Sequence, residues 1–311
     1  MVKKALKKPY YRFLKLKNRI FHGRPVLVLM YHRVSDVSDK KTARLTVTPA
    51  TFEKQLVYFK EKYQILRLTD NWSSLKKSGL VITFDDGYAD NFINALPLLE
   101  KHQIPATVFV TTININTQNE FWWDRLVFDY EKMDVLFFFP KIAEKVSKEQ
   151  YSYSYFENML AELDNSQKEE WFLEWEKINH IEFRGREDYR SLTIEELKKL
   201  ENNPLIDIGL HTHNHYPLGY LTEQEQIQEM STSIGELKKF ADSSLPYLAL
   251  PHGSYNEFTF QVIKGFGLKG VFLANNYYSN GTNKATGKIN RILMPNIEGT
   301  KMIDYLRYFD F

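Results

Sequence analysis

Apolar residues in this chain collect into short continuous runs that end in polar residues, and amphipathic stretches separate the runs. Pro25-Val26-Leu27-Val28-Leu29-Met30-Tyr31 is the first, ending at His32, and Leu80-Val81-Ile82-Thr83-Phe84 is another, ending in Asp85-Asp86-Gly87-Tyr88. Ala106 to Val110, Leu205 to Leu210, Leu248 to Leu250, Val271 to Ala274 and Asn290 to Leu293 continue the series. Such runs suit strands buried on both faces of a parallel sheet. Between them, Thr48-Pro49 opens a helix whose buried face is Phe52, Leu56 and Phe59, and a second helix runs through Asn91 to Lys101. Thr193 and Glu196 have capping-box spacing ahead of Leu197, and a closing helix lies near Met302 to Tyr308. The alternation predicts an α/β fold built on a parallel sheet or barrel.

From about residue 113 to 190 the pattern changes. Phe121-Trp122-Trp123, Leu136 to Phe139 and Tyr151 to Phe156 are aromatic clusters, and Glu157 to Ile178 is charged with helical period. This segment reads as a mostly helical insertion over the barrel mouth. Its aromatics can stack on sugar rings or form the small core that an inserted subdomain needs.

Composition narrows the chemistry. With 43% hydrophobic and 26% charged residues in 311, the chain is an ordinary globular protein, not a disordered or fibrous one. The absence of cysteine excludes disulfides, thiolate nucleophiles and Cys-type zinc sites, so any metal is held by His and carboxylate. Residues 1–24 carry nine Lys or Arg and no acid; without them 32 basic residues face 39 acidic ones, so a basic arm sits on a body of charge −7. That arm is interrupted by charge throughout, unlike a secretory signal, and no apolar run is long enough to span a bilayer. The sequence therefore predicts a cytoplasmic protein, with peripheral contact to the inner membrane face through the arm as one reading and a solvated tail as the other. The acidic body disfavours nucleic acid as a partner.

The candidate chemistry lies at the ends of the apolar runs, where α/β folds place their sites. Asp85 and Asp86 are adjacent carboxylates, costly to ionise together unless a cation neutralises them, the bland alternative being a helix cap. His211, His213 and His215 follow the Leu205 to Leu210 run. A helical turn or a tight loop would aim His211 and His215 at one point and His213 elsewhere.

Taken in order, Thr83-Phe84-Asp85-Asp86-Gly87-Tyr88, His211-Thr212-x-x-His215 and Pro251-His252-Gly253 resemble the motifs of the polysaccharide deacetylase family, of the carbohydrate esterase family 4 type. Tyr31-His32-Arg33-Val34 resembles the Tyr-His strand of one branch of it. The resemblance covers about Val26 to Ile292 outside the insertion and implies a distorted, incomplete (β/α)7-type barrel over residues 25–311. It implies that Asp86, His211 and His215 bind one divalent metal ion, usually Zn2+, that Asp85 is the general base, and that Tyr88, Pro251, His252 and Gly253 contact substrate. Two features depart from the family pattern. There is no C-terminal Leu-x-x-His, which makes His32 the candidate general acid and His252 the runner-up. The arginine that many relatives place before the motif-three proline is replaced by Ala249-Leu250, leaving Arg291 to orient Asp85 at the substrate site.

The function expected is a metal-dependent hydrolase removing N-acetyl (or O-acetyl) groups from a saccharide, a cell-surface polysaccharide or a lipid-linked glycan precursor. Its rivals are hydrolysis of a non-sugar amide by the same centre and a catalytically inert glycan-binding barrel.

Overall fold

The computed structural model describes residues 24–132 and 152–309. Residues 1–23 of the basic arm, the Leu136 to Phe139 cluster and Tyr151 lie outside the described residues. The chain runs β1 (Val26–Tyr31), β2 (Arg33–Val34), β3 (Thr46–Val47), α1 (Pro49–Lys62), β4 (Gln64–Ile65), β5 (Gly79–Phe84), α2 (Leu96–His102) and β6 (Ala106–Val110). The insertion contributes α3 (Trp122–Lys132), α4 (Tyr153–Ala161) and α5 (Asn165–Asn179). The barrel then resumes with α6 (Ile194–Glu201), β7 (Ile206–Leu210), α7 (Glu223–Phe240), β8 (Tyr247–Ala249) and α8 (Thr259–Gly265). It closes with β9 (Gly270–Phe272), α9 (Gly281–Thr286), β10 (Lys288–Ile289), β11 (Ile292–Leu293) and α10 (Gly299–Phe309).

The main sheet is parallel, in the order β10-β9-β8-β7-β6-β5-β1-β11, with β4 added beside β5. Its two edge strands, β10 and β11, are separated in sequence only by Asn290-Arg291. Opposite edges that lie two residues apart force the sheet to curl almost onto itself, giving the incomplete barrel, with Arg291 in the gap.

Side chains alternate across a strand, so each strand has an inward and an outward set. Leu27, Leu29 and Tyr31 of β1, Leu80, Ile82 and Phe84 of β5, and Ile206, Ile208 and Leu210 of β7 pack outward against helix residues such as Phe52, Leu56 and Leu197. Val26, Val28, Val81, Phe109, Ala249, Phe272 and Ile289 fill the interior. Counting on by twos, the inward set reaches His32 after β1, Asp85 after β5, His211 after β7 and Arg291 after β10. Gly209 shares that parity, and a Cβ there would lie 2.6 Å from the Phe109 ring, so only glycine admits the aromatic plug beneath the site.

Local signals hold where the helices begin. The Thr48 hydroxyl accepts from the Thr51 backbone at 3.2 Å ahead of Pro49, and Thr193 and Glu196 form a reciprocal capping box on α6. The helix expected from Asn91 differs, since residues Asn91–Ala95 make a wide π-turn in which the Leu96 amide bonds to the Asn91 carbonyl. Pro97 lacks the amide that would bond back to Ile93, which loosens the helical ladder at this point.

The insertion has its own core of Leu126, Val127, Tyr153, Phe156, Leu160, Phe172 and Trp175. Phe121 and Trp123 instead turn toward the barrel and pack on Tyr88. Its entry and exit are clamped by Arg186, which donates to both Glu120 oxygens (Nε–Oε1 2.9 Å, Nη2–Oε2 2.6 Å) and to Asp39 at 3.1 Å. Its return leg hydrogen-bonds to the loop after β5, Leu192 N to Gly87 O at 2.9 Å and Ala89 N to Arg190 O at 3.0 Å.

Asp129 is fully buried in α3, and no N–H or O–H donor among the described residues reaches either carboxyl oxygen. Burial, and then the neighbouring Glu176 charge, push its pKa up to about 8. The folded chain thus keeps a proton that the unfolded chain releases above about pH 4. Stability from this group is present at acid pH and is lost as pH rises toward 8. Asp129→Asn keeps the shape without the titration, so it is expected to raise the melting temperature more at pH 8 than at pH 5. Thermal circular dichroism checks this; equal shifts at the two pH values would contradict it.

Candidate active site

A cleft of about 380 Å³ opens at the C-terminal ends of the strands. Asp85, Asp86, His32, His211, His215 and His252 all line it, with Met30, Leu250, Ala274 and Leu293 forming an apolar wall. The sequence placed the six polar residues at strand ends. The apolar wall carries no signal that separates it from ordinary core.

Asp85 follows the inward parity of β5. By the same alternation Asp86 would point outward, but its backbone is left-handed (φ 72°) and swings the carboxylate back into the cleft. Two neighbours in sequence therefore face one site. Between His211 and His215 the chain makes a tight loop, not a helix, with Thr212 and His215 both left-handed (φ 66° and 59°). A β-branched residue in that region is strained, on the order of 1–3 kcal/mol. The Thr212 hydroxyl supports the loop by accepting from the His215 amide at 3.1 Å.

The loop brings three ligand atoms together. Asp86 Oδ1 lies 3.2 Å from His211 Nε2 and 3.3 Å from His215 Nε2, and one donor atom from each residue falls within 4.8 Å of the others. His211 Nδ1 sits 2.9 Å from the Ala249 carbonyl, which fixes its proton there and leaves Nε2 with its lone pair toward the cleft. Asp86 Oδ1 is buried without a hydrogen-bond partner. Lone pairs converging on a buried carboxylate oxygen repel unless a cation lies among them, so the donor set fits a divalent metal. His213 points away, its Nδ1 2.8 Å from the Thr112 hydroxyl.

Arg291 meets Asp85 with two parallel hydrogen bonds, Nη1–Oδ1 2.6 Å and Nη2–Oδ2 2.7 Å. Burial alone would raise the Asp85 pKa, but Arg291, and His211 after it, hold the carboxyl below its ordinary value. For Asp86, burial is likewise outweighed, here by His211 and His215, and its pKa is depressed further. His32 stands on the β1 side of the cleft, and its buried Nδ1 has no partner among the described residues. Burial lowers its pKa, with Asp86 and Asp85 opposing.

Tyr88 is the residue expected to contact substrate, and Arg291 the one expected to orient Asp85. Tyr88 is fully buried, its hydroxyl donating to Asp124 Oδ2 at 2.6 Å and accepting from Trp123 Nε1 at 2.9 Å. It anchors Trp123, whose ring lies 4.7 Å from that of His215 and stacks on Phe121 at 4.6 Å. Arg291 is also fully buried, with Asp85 occupying both of its guanidinium nitrogens Nη1 and Nη2. In the Pro251–Gly253 turn, the Gly253 and Ser254 amides are engaged by the Leu250 and Pro251 carbonyls. Gly253 is left-handed (φ 65°) with Ala274 3.1 Å from where a Cβ would be. Pro251 and Gly253 thus shape the rim, and His252, exposed, is the residue of that turn that lines the cleft.

The profile of the polysaccharide deacetylase family matches residues 73–271, more than half of the chain. The chain belongs to the polysaccharide deacetylase family. YxkH of Bacillus subtilis (strain 168), whose name places it in the same family, is 34% identical over 91 residues, which spans 27% of this chain and 30% of that protein. Among solved structures, the Streptococcus pyogenes deacetylase PplD in complex with acetate superposes with a TM-score of 0.58 at 21% identity, covering 90% of this chain and 96% of that one. IcaB from Ammonifex degensii gives 0.60 at 17% identity, covering 92% and 97%. These likenesses show the fold. Membership of the polysaccharide deacetylase family supports a carbohydrate deacetylase, a hydrolase of saccharide acyl groups, and its Asp-His-His set is a candidate metal site.

Proposed function

We propose that the chain is a metal-dependent deacetylase that removes N-acetyl, or O-acetyl, groups from a cell-surface polysaccharide or its lipid-linked precursor. The observation that carries this reading is the convergence of Asp86, His211 and His215 beside a carboxylate, Asp85, that Arg291 keeps ionised. Asp86, His211 and His215 would hold a divalent ion, zinc suiting two imidazoles with one carboxylate, and such an ion acidifies water and polarises an acyl carbonyl.

The remaining work belongs to side chains. Asp85, fixed by Arg291 and 3.9 Å from His211 Nε2, accepts the proton of the attacking water. Met30, Leu250, Ala274 and Leu293 form the apolar wall on which the acyl methyl rests. His32 hands a proton to the leaving nitrogen; its lowered pKa makes it a strong donor once protonated. Trp122 and Trp123, on the insertion side, present rings to the sugar.

Acetate release from penta-N-acetylchitopentaose and from acetylated xylo-oligosaccharides tests the reading. Activity on at least one is expected, to vanish on chelation with dipicolinate and to return with one equivalent of zinc. A zinc-loaded, folded chain that releases acetate from neither would sink it.

A further inference from the structure

A second cavity, of about 590 Å³, lies between the insertion and the barrel, and Trp122, Trp123 and His215 line both it and the active-site cleft. Any group bound there is therefore a direct neighbour of the group in the cleft. Its wall suits a sugar, since the amides of Asn114, Gln118 and Asn119 share it with the Trp122 ring. Amides supply paired donors and acceptors for hydroxyl groups, and an aromatic ring covers the apolar face of a pyranose.

The charges on the wall are unevenly matched. Glu169 and Glu176 pair with Arg125 at 2.7 Å each, and Glu120 pairs with Arg186 at 2.6 Å. Lys168, only 5% exposed, has no carboxylate within ion-pair distance among the described residues. Its ammonium donates to the Leu163 carbonyl and sits 5.6 Å from the Trp122 ring and 5.5 Å from that of Tyr216. Asp164, one turn earlier, caps α5 by accepting from the Gln167 amide at 2.8 Å. Burial lowers the Lys168 pKa to about 8, with the charge of Asp164 opposing it only in part.

The position of Lys168 is fixed relative to the metal loop. Asn165 donates from Nδ2 to Asn214 Oδ1 at 2.9 Å and from its backbone to the Tyr216 hydroxyl at 2.9 Å, tying the first turn of α5 to the residues on either side of His215. Glu229 holds the other face of Asn214, accepting from its Nδ2 at 2.7 Å. A cation on that turn is thus registered against the reacting sugar.

We propose that this cavity binds the sugar unit next to the one being deacetylated and that Lys168 receives an anionic substituent, a carboxylate or a phosphate, on that unit. The proposal rests on the deacetylase reading only for which unit sits in the cleft; the cavity and its cation stand without it. A buried cation gains most from an anion that enters with its own sugar, because both charges are then removed from water together and paired.

The test is calorimetric binding to the zinc-loaded full chain carrying Asp85→Asn, which blocks turnover. The probes are N-acetylated tetrasaccharides of matched length: neutral tetra-N-acetylchitotetraose, one alternating with glucuronate, and one bearing a 6-phosphate on the unit beside the target. One of the two anionic probes is expected to bind about tenfold tighter than the neutral one, and which one it is separates carboxylate from phosphate. Adding Lys168→Met is expected to bring that ratio to about one, and Lys168→Arg to keep most of it. Equal binding of all three probes, or a preference that survives Lys168→Met, overturns the proposal. Should Lys168→Met unfold, the Lys168→Arg chain and the salt dependence of the preference decide, since loss of preference in high salt follows from an ionic contact and persistence contradicts it. Acetate release by the chain with Asp85 intact is scored separately. Its failure would remove the deacetylase reading while leaving the charge preference standing.

Discussion

Replacing His211 with alanine is expected to reduce bound zinc from one equivalent to almost none and to lower acetate release by about a thousandfold or more. Two ligands cannot hold the ion as three do, and the transition-state stabilisation that an ion supplies is worth several kcal/mol, at about 1.36 kcal/mol per tenfold in rate. His213→Ala is the matched control, because His213 bonds to Thr112 and does not line the cleft. It is expected to leave metal content unchanged. A readout independent of catalysis is available, since an ion that binds only the folded chain stabilises it by RT ln(1 + [L]/Kd), about 4 kcal/mol at a thousandfold excess over Kd. Zinc should therefore raise the melting temperature of the parent and of His213→Ala, and leave that of His211→Ala almost unmoved. Elemental analysis and thermal melts decide it; a His211→Ala chain that keeps both its zinc and its melting shift would show that the metal lies elsewhere.

That contrast was available in the sequence because a helical turn or a tight loop aims His211 and His215, four apart, at one point and His213 elsewhere. What could not be read was the device that selects two of them. The left-handed Thr212 and His215, and the Thr212 hydroxyl beneath the His215 amide, depend on the loop being held between β6 and β8, which is a tertiary fact. Asp86 is similar. Strand periodicity puts Asp85 inside and Asp86 outside, and only a positive φ at a residue type that tolerates it reverses this. The longer strands were legible because burial on both faces makes each a continuous apolar run, and the caps of α1 and α6 because capping is local; Asn290 to Leu293, expected as one strand, instead holds the gap Asn290-Arg291 between β10 and β11.

Other parts were not legible for identifiable reasons. Tyr88 adjoins the Asp-Asp-Gly stretch, and nothing local shows that its hydroxyl is taken by Asp124 and Trp123 from the insertion. The Ala249 carbonyl that orients His211 is a backbone group and leaves no trace in residue type. The strands β2 and β3 have two residues each, too few for any period to show. Of the two readings the insertion's aromatics left open, the fold shows the core, which holds Phe156 and Trp175, while Trp123 lies against His215.

Arg291→Met is expected to destabilise the chain and to shift its pH–rate profile. Arg291 crosses the gap between β10 and β11 to pair with Asp85, both almost wholly removed from solvent. Removing one partner of a buried pair leaves an uncompensated charge, which costs about 3–5 kcal/mol, so the urea midpoint at pH 7 should fall markedly. The sign with pH follows from the direction of the shift. In the parent, Asp85 is held below its ordinary value, so the pair contributes stability above the unfolded pKa of about 4, which is lost as pH falls through the folded value. Without Arg291, burial dominates and the carboxyl rises instead. Asp85 accepts a proton only when ionised, so the acid limb of the kcat profile should move to higher pH. Asp85→Asn combined with Arg291→Met leaves no buried charge at this pair and is expected to recover most of the stability, yet to remain about 10²–10⁴-fold slow because no base is present. If Arg291→Met loses stability while the acid limb stays in place, Arg291 is only packing; a limb that moves, with stability restored in the double variant, makes it the group that holds Asp85 ionised.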